Sequence, residues 1–162
     1  MDECHRVLKA RGYGFAFLRP GSEGLFELYG KLGYEICGGV SSVVADACGG
    51  VAIRECDADE YAAMRHEMLP QSGAKISEKG LDFAAGYMKF YAGDGFAFSA
   101  YTEDGELYCG EIFGDDPPLP EIVGALGCRR GHFRLAGNEP FIMGYPLCGD
   151  LPKDMLFTLV FD

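Results

Sequence analysis

The chain has 162 residues, 48% of them apolar, enough to bury the core of one domain or of two small ones. No stretch approaches the roughly 18 to 20 consecutive apolar residues of a membrane-spanning helix, and the charged start MDECHRVLKARG lacks the apolar run of a signal peptide. Fourteen Lys and Arg against 25 Asp and Glu give a net charge of -11. That balance leaves no basic surplus for nucleic acid; it suits solubility and attracts a cationic substrate such as an amine.

The seven cysteines (Cys4, Cys37, Cys48, Cys56, Cys109, Cys128, Cys148) are odd in number and form no CxxC pair. Without an export signal they read as buried thiols of a reduced, cytoplasmic protein. Cys128 and His132, four apart, are half of a metal site with no second pair to complete it, so no metal is expected. The same two residues are the only pairing that suggests a thiol nucleophile and base.

In chain order, residues 2–10 pattern as the last turns of a helix with Cys4, Val7 and Leu8 on one side and Gly12 as its stop. GYGFAFL (12–18) is a short strand ended by Arg19-Pro20-Gly21, and Ser22 is the N-cap of the next helix. Leu25, Leu28, Tyr29 and Leu32 share one face of that helix, which Gly33 ends before a strand over Tyr34 to Asp46. ACGG at 47–50 is the candidate domain boundary. Beyond it, VAIRE is strand-like and DADEYAAMRHEM is a helix capped by Asp57 with its exposed or boundary His66.

SEKGLDFAAGYMKFYA reads as a second helix capped at Ser77, with Phe83, Tyr87, Met88 and Phe90 as core positions. GFAFSAY-TEDGE-LYCGEIF is a hairpin with an acidic tip, in which Glu111 faces either a cleft or solvent. LPEIVGALG is a helix, and HFRL, PFIMGYPL and MLFTLVF are further strands.

One stretch carries candidate chemistry. Leu28, Tyr29, Gly30, Lys31, Leu32, Gly33 and Tyr34 follow a pattern L-Y-x-K-L-G-[FY], set in a helix-strand-helix run that ends near Asp46. This run resembles the C-terminal half of the GNAT superfamily of acetyl-CoA-dependent N-acetyltransferases. The resemblance implies an α+β fold, with a mixed, mainly antiparallel sheet and flanking helices. It implies Tyr29 as the general acid that protonates the departing coenzyme A thiolate, a role a rigidly held phenol can fill. It also implies Ser22, Leu25 and Tyr29 as residues lining acetyl-CoA, and a small-molecule or peptide amine as acceptor. The plainer reading is that Tyr29 completes the Leu25-Leu28-Leu32 face.

The family grips the pyrophosphate with a [RQ]-x-x-G-x-[GA] loop at a helix N-terminus. No such loop occurs here, and RGYGFA opens a strand instead. The catalytic domain is therefore expected to be truncated at its N-terminus, with residues 1–47 its C-terminal portion. NEPFIMGYPLCGDLPKDMLFTLVFD looks like the tail of two-part bacterial acetyltransferases, which implies a second, degenerate GNAT-like lobe over 51–162. In the enhanced-intracellular-survival type the terminal carboxylate is the base, which makes Asp162 a candidate base against the plainer reading of a solvated terminus. The alternative function is a non-catalytic GNAT-derived binding or dimerisation module. The unpaired strand at 13–18 predicts a homodimer or swapped assembly in either case.

Overall fold

The computed structural model describes residues 1–69 and 78–152, which form two compact units. The first comprises Met1–Val40 and the described chain from Gly137; the second is Ser41–Ala136. Within the first unit the strands lie in the order Phe15–Leu18, Glu139–Pro146, Glu35–Asp46, and within the second in the order Arg130–Ala136, Glu106–Gly114, Phe96–Glu103, Lys89–Ala92, Arg54–Cys56. The registered pairs are antiparallel except Glu106–Gly114 with Arg130–Ala136. With the five described helices this is the α+β architecture the sequence implies.

In the first unit, α1 (Asp2–Ala10) leads to β1 (Phe15–Leu18), α2 (Glu23–Lys31) and the first half of β2 (Glu35–Asp46), with β8 (Glu139–Pro146) paired to both strands. Tyr34, Cys37, Val40, Phe141, Ile142 and Met143 are its buried side chains of these strands and their approach. The register of β2 against β8 shifts twice, between Ile36 and Gly38 and between Gly38 and Gly39. Gly39 sits where a Cβ would lie 2.5 Å from the Gly137 carbonyl oxygen and 3.0 Å from that of Glu139. Both obstacles are backbone, so Gly39→Ala is expected to cost about 1–3 kcal/mol by overpacking. An unchanged urea midpoint in that variant would contradict the close approach.

The second unit holds β3 (Arg54–Cys56), α3 (Ala58–Met68), α4 (Glu78–Ala85), β4 (Lys89–Ala92), β5 (Phe96–Glu103), β6 (Glu106–Gly114), α5 (Leu119–Ala125) and β7 (Arg130–Ala136). Asp57 caps α3 as expected, its carboxylate accepting the Glu60 N–H at 2.8 Å. The hairpin turns on Asp104 and Gly105, both at positive φ (51° and 75°), as a two-residue Asp-Gly turn demands. One core packs Phe96, Phe98, Leu107 and Phe133 with Ile122 and Val123 of α5. A second packs Tyr61 and Leu81 with Phe90, Ala97 and Phe113.

Two expectations are corrected. The helix read through residue 92 ends at Ala85, where the Gly86 N–H turns back to Phe83, and KFYA is strand β4. Phe90 enters the core at 3% exposed, whereas Phe83 and Tyr87 are left in solvent at 53% and 66%. Strand pairing of Phe90 with Ser99 overrode the helical spacing. On α2, Leu28 and Leu32 are exposed, and the half-buried side chains are Leu25, Phe26 and Tyr29. Ser77 and the expected strand MLFTLVF lie outside the described residues.

Candidate functional site

Tyr29 stands in the last turn of α2, and its carbonyl accepts the N–H groups of both Leu32 and Tyr34 at 3.0 Å. Gly33 makes this closure possible with φ +86°. The Tyr29 ring meets the Tyr34 ring edge-on, with centroids 5.8 Å apart. Tyr34 is buried, and its hydroxyl lies 2.8 Å from His5 Nε2. Burial first, then the neighbouring Tyr29, holds the Tyr34 phenol above its ordinary pKa, which keeps it a neutral hydrogen-bonding group. His5 in turn stacks on Tyr145 of β8 at 3.9 Å. The half-buried Tyr29 is therefore braced from below by an aromatic cluster drawn from α1, β2's approach and β8.

The other residues implied for this site are placed less tightly. Ser22 occupies the N-cap of α2 with extended backbone, but its side chain makes no capping bond. Leu25 is half-buried on the same side as Tyr29. Asp162 lies outside the described residues. The sequence pattern turns Cys4 inward and gives His5 no role, whereas the structure exposes Cys4 and buries His5. Its partners Tyr34 and Tyr145 are remote in sequence, so nothing local marks it.

The N-termini of α1, α2, α3 and α5 do not suit a diphosphate. The first turns of α1, α2, α3 and α5 carry Asp2 and Glu3, Glu23, Asp59 and Glu60, and Glu121. A carboxylate there already answers the helix dipole and repels an anion.

In the second unit, Glu111 is neither in a cleft nor solvated. It is fully buried, bonded by Arg65 Nε at 2.9 Å and Nη2 at 3.0 Å, and by the Tyr61 hydroxyl at 3.1 Å. Cys128 and His132 do not pair either: Cys128 Sγ approaches the Leu126 carbonyl, while His132 Nε2 lies 2.8 Å from Glu106. Among the described residues no three His, Cys, Asp or Glu side chains converge as metal ligands. That His132 bond, ahead of Arg129, holds the Glu106 carboxyl below its ordinary value. His66 is exposed, as expected.

Thiol chemistry is disfavoured by environment as well. Burial pushes Cys37 up to about 11 and raises Cys109 further. Cys4, Cys48 and Cys148 are exposed. A maleimide at neutral pH should label these three first and leave Cys37, Cys109 and Cys128 unmodified until denaturant is added. Rapid labelling of Cys109 in the folded chain, read by peptide mass spectrometry, would contradict this packing.

The architecture has known counterparts. A GCN5-related N-acetyltransferase from Kribbella flavida superposes over 90% of this chain with a TM-score of 0.64 at 19% identity. The fold is that of the GCN5-related N-acetyltransferases. A conserved protein of unknown function from Enterococcus faecalis V583, described as a probable N-acyltransferase, matches 90% of the chain at 13% identity with a TM-score of 0.62. Eis1 from Mycobacterium abscessus does so at 10% identity and 0.55. The chain spans about half the length of these structures, covering 46%, 48% and 50% of them respectively. No family model and no curated protein matches the sequence. Among the described residues no helix is long and apolar enough to cross a membrane.

Proposed function

We propose that the chain serves acetyl-CoA-dependent N-acetyl transfer to an amine, with Tyr29 as the general acid. The observation that carries this reading is the bracing of Tyr29: its backbone is tied at the end of α2 and its ring set against a buried Tyr34–His5 pair. A phenol fixed in this way can protonate a departing thiolate without paying to order its own side chain. Ser22 and Leu25, two turns and one turn before Tyr29 along α2, would line the thioester's pantetheine arm. The diphosphate is assigned to groups other than the N-termini of these four helices, whose acidic first turns oppose it. Asp162 is the candidate base that takes the proton of the incoming ammonium. In this reading residues 1–47 belong to the catalytic domain and 51–162 to a companion lobe, which lends strand β8 (Glu139–Pro146) to the first unit.

A second reading, a GNAT-derived binding or dimerisation module, is favoured by the poor fit of those helix N-termini to a diphosphate and by β1, which stands at the end of the described strands. Thiol release from acetyl-CoA, followed with polyamine, aminoglycoside, amino-acid and peptide amines, separates the two. Release that requires an amine supports acetyl transfer. Silence with every amine, in a chain that sediments as a dimer, supports the module.

A further inference from the structure

Helix α2 turns an apolar stripe to solvent. Leu28 and Leu32, one turn apart, are 48% and 43% exposed, and none of the side chains of α2 is fully buried. Gly24, one turn before Leu28, completes the same i, i+4 ridge. Among the described residues, nothing lies within 4 Å of a Cβ built at Gly24, so the chain's own packing does not call for a glycine there. Glycine lowers the stability of a helix, and a close neighbour from outside the chain accounts for its presence.

The ridge is complementary to itself when reversed. Two copies of α2 laid antiparallel about a twofold axis at Leu28 set Leu28 against the partner's Leu28, and Leu32 over the partner's Gly24. The glycine leaves the hollow into which a leucine one turn from the axis fits. Glu27 and Lys31 are exposed and flank the stripe on one side, since residues four apart share a helix face. The twofold keeps that side common to both helices and brings Lys31 within two residue heights, about 3 Å, of the partner's Glu27. Two opposite-charge pairs then form at the rim and fix the antiparallel register. Tyr29 is turned from Leu28 by about 100° and lies outside the stripe.

We propose that α2 docks a second copy of this chain, packed antiparallel through Gly24, Leu28 and Leu32 with Glu27–Lys31 pairs at its rim. The contact goes beyond acetyl transfer and does not depend on it. One helix pair buries less than the roughly 1,200 Å² of a stable interface, so association is weak, with a dissociation constant on the order of 0.1–1 mM.

Sedimentation equilibrium over that range should show a monomer–dimer equilibrium. Leu28→Lys, at an exposed position that leaves the fold intact, should abolish it. Lys31→Glu should weaken it about fivefold, and Glu27→Lys added to Lys31→Glu should restore it. Cross-linking in a Cys4→Ser, Cys48→Ser, Cys148→Ser background, which removes the exposed thiols, reads the register. Leu28→Cys, on the axis, should form a disulfide-linked dimer. Leu32→Cys alone should not, because its two copies lie about 12 Å apart along the helices, beyond disulfide reach. A chain that stays monomeric over the whole range overturns the proposal. So does self-association untouched by Leu28→Lys, or cross-linking of Leu32→Cys as fast as that of Leu28→Cys.

Discussion

Arg65→Met should cost about 3–5 kcal/mol of stability, the range expected when one partner of a buried ion pair is removed. Glu111 is completely buried on β6 and Arg65 is 6% exposed on α3, so the carboxylate left behind has no water to turn to. The Tyr61 hydroxyl bonds the same Glu111 Oε2 as Arg65 Nε, and a neutral hydroxyl does not replace the charge of a bidentate guanidinium. Burial holds the Tyr61 phenol well above its ordinary pKa, so it stays a donor and supplies no compensating charge. Arg65→Met combined with Glu111→Met should restore most of the loss, since two apolar side chains of similar volume carry no desolvation cost. Urea denaturation of the three variants reads both effects. A loss below about 1 kcal/mol for Arg65→Met alone would mean that water reaches the carboxylate.

Tyr29→Phe should lower amine-dependent acetyl transfer by about 10²-fold or more, the usual worth of a positioned general acid. The substitution keeps the ring and its edge contact with Tyr34, and removes only the hydroxyl. Stability should therefore hardly change, which separates a chemical role from completion of a helix face. The exposure of Leu28 and Leu32 already weakens the packing explanation, because the face it would complete is not buried. Equal kcat in wild type and Tyr29→Phe would remove the acid role and leave the fold assignment untouched.

Local chemistry made much of the fold readable. Gly33 and Gly12 stop their helices at positive φ, Asp57 caps α3, and the Asp-Gly pair turns the hairpin, all where their residue types require it. What could not be read depended on distant partners. Glu111 needs Arg65 from 46 residues away, and His5 needs Tyr34 and Tyr145. Residues 86–92 misled because Phe83, Tyr87 and Phe90 fit helical spacing, whereas Phe90 is decided by its strand partner Ser99. One pairing was legible and overlooked: a two-residue turn at Asp104-Gly105 sets Tyr101 opposite Tyr108 by counting outward. His132 comes opposite Tyr108 through the parallel β6–β7 pair, whose register no turn specifies.

Calorimetric titration of the 162-residue chain with acetyl-CoA, and in parallel with S-acetylpantetheine, tests the proposed function most directly. If Tyr29 faces the thioester while other groups hold the diphosphate, both ligands should bind, weakly and with similar affinity. No heat from either at millimolar concentration would contradict a role for this chain in acetyl transfer.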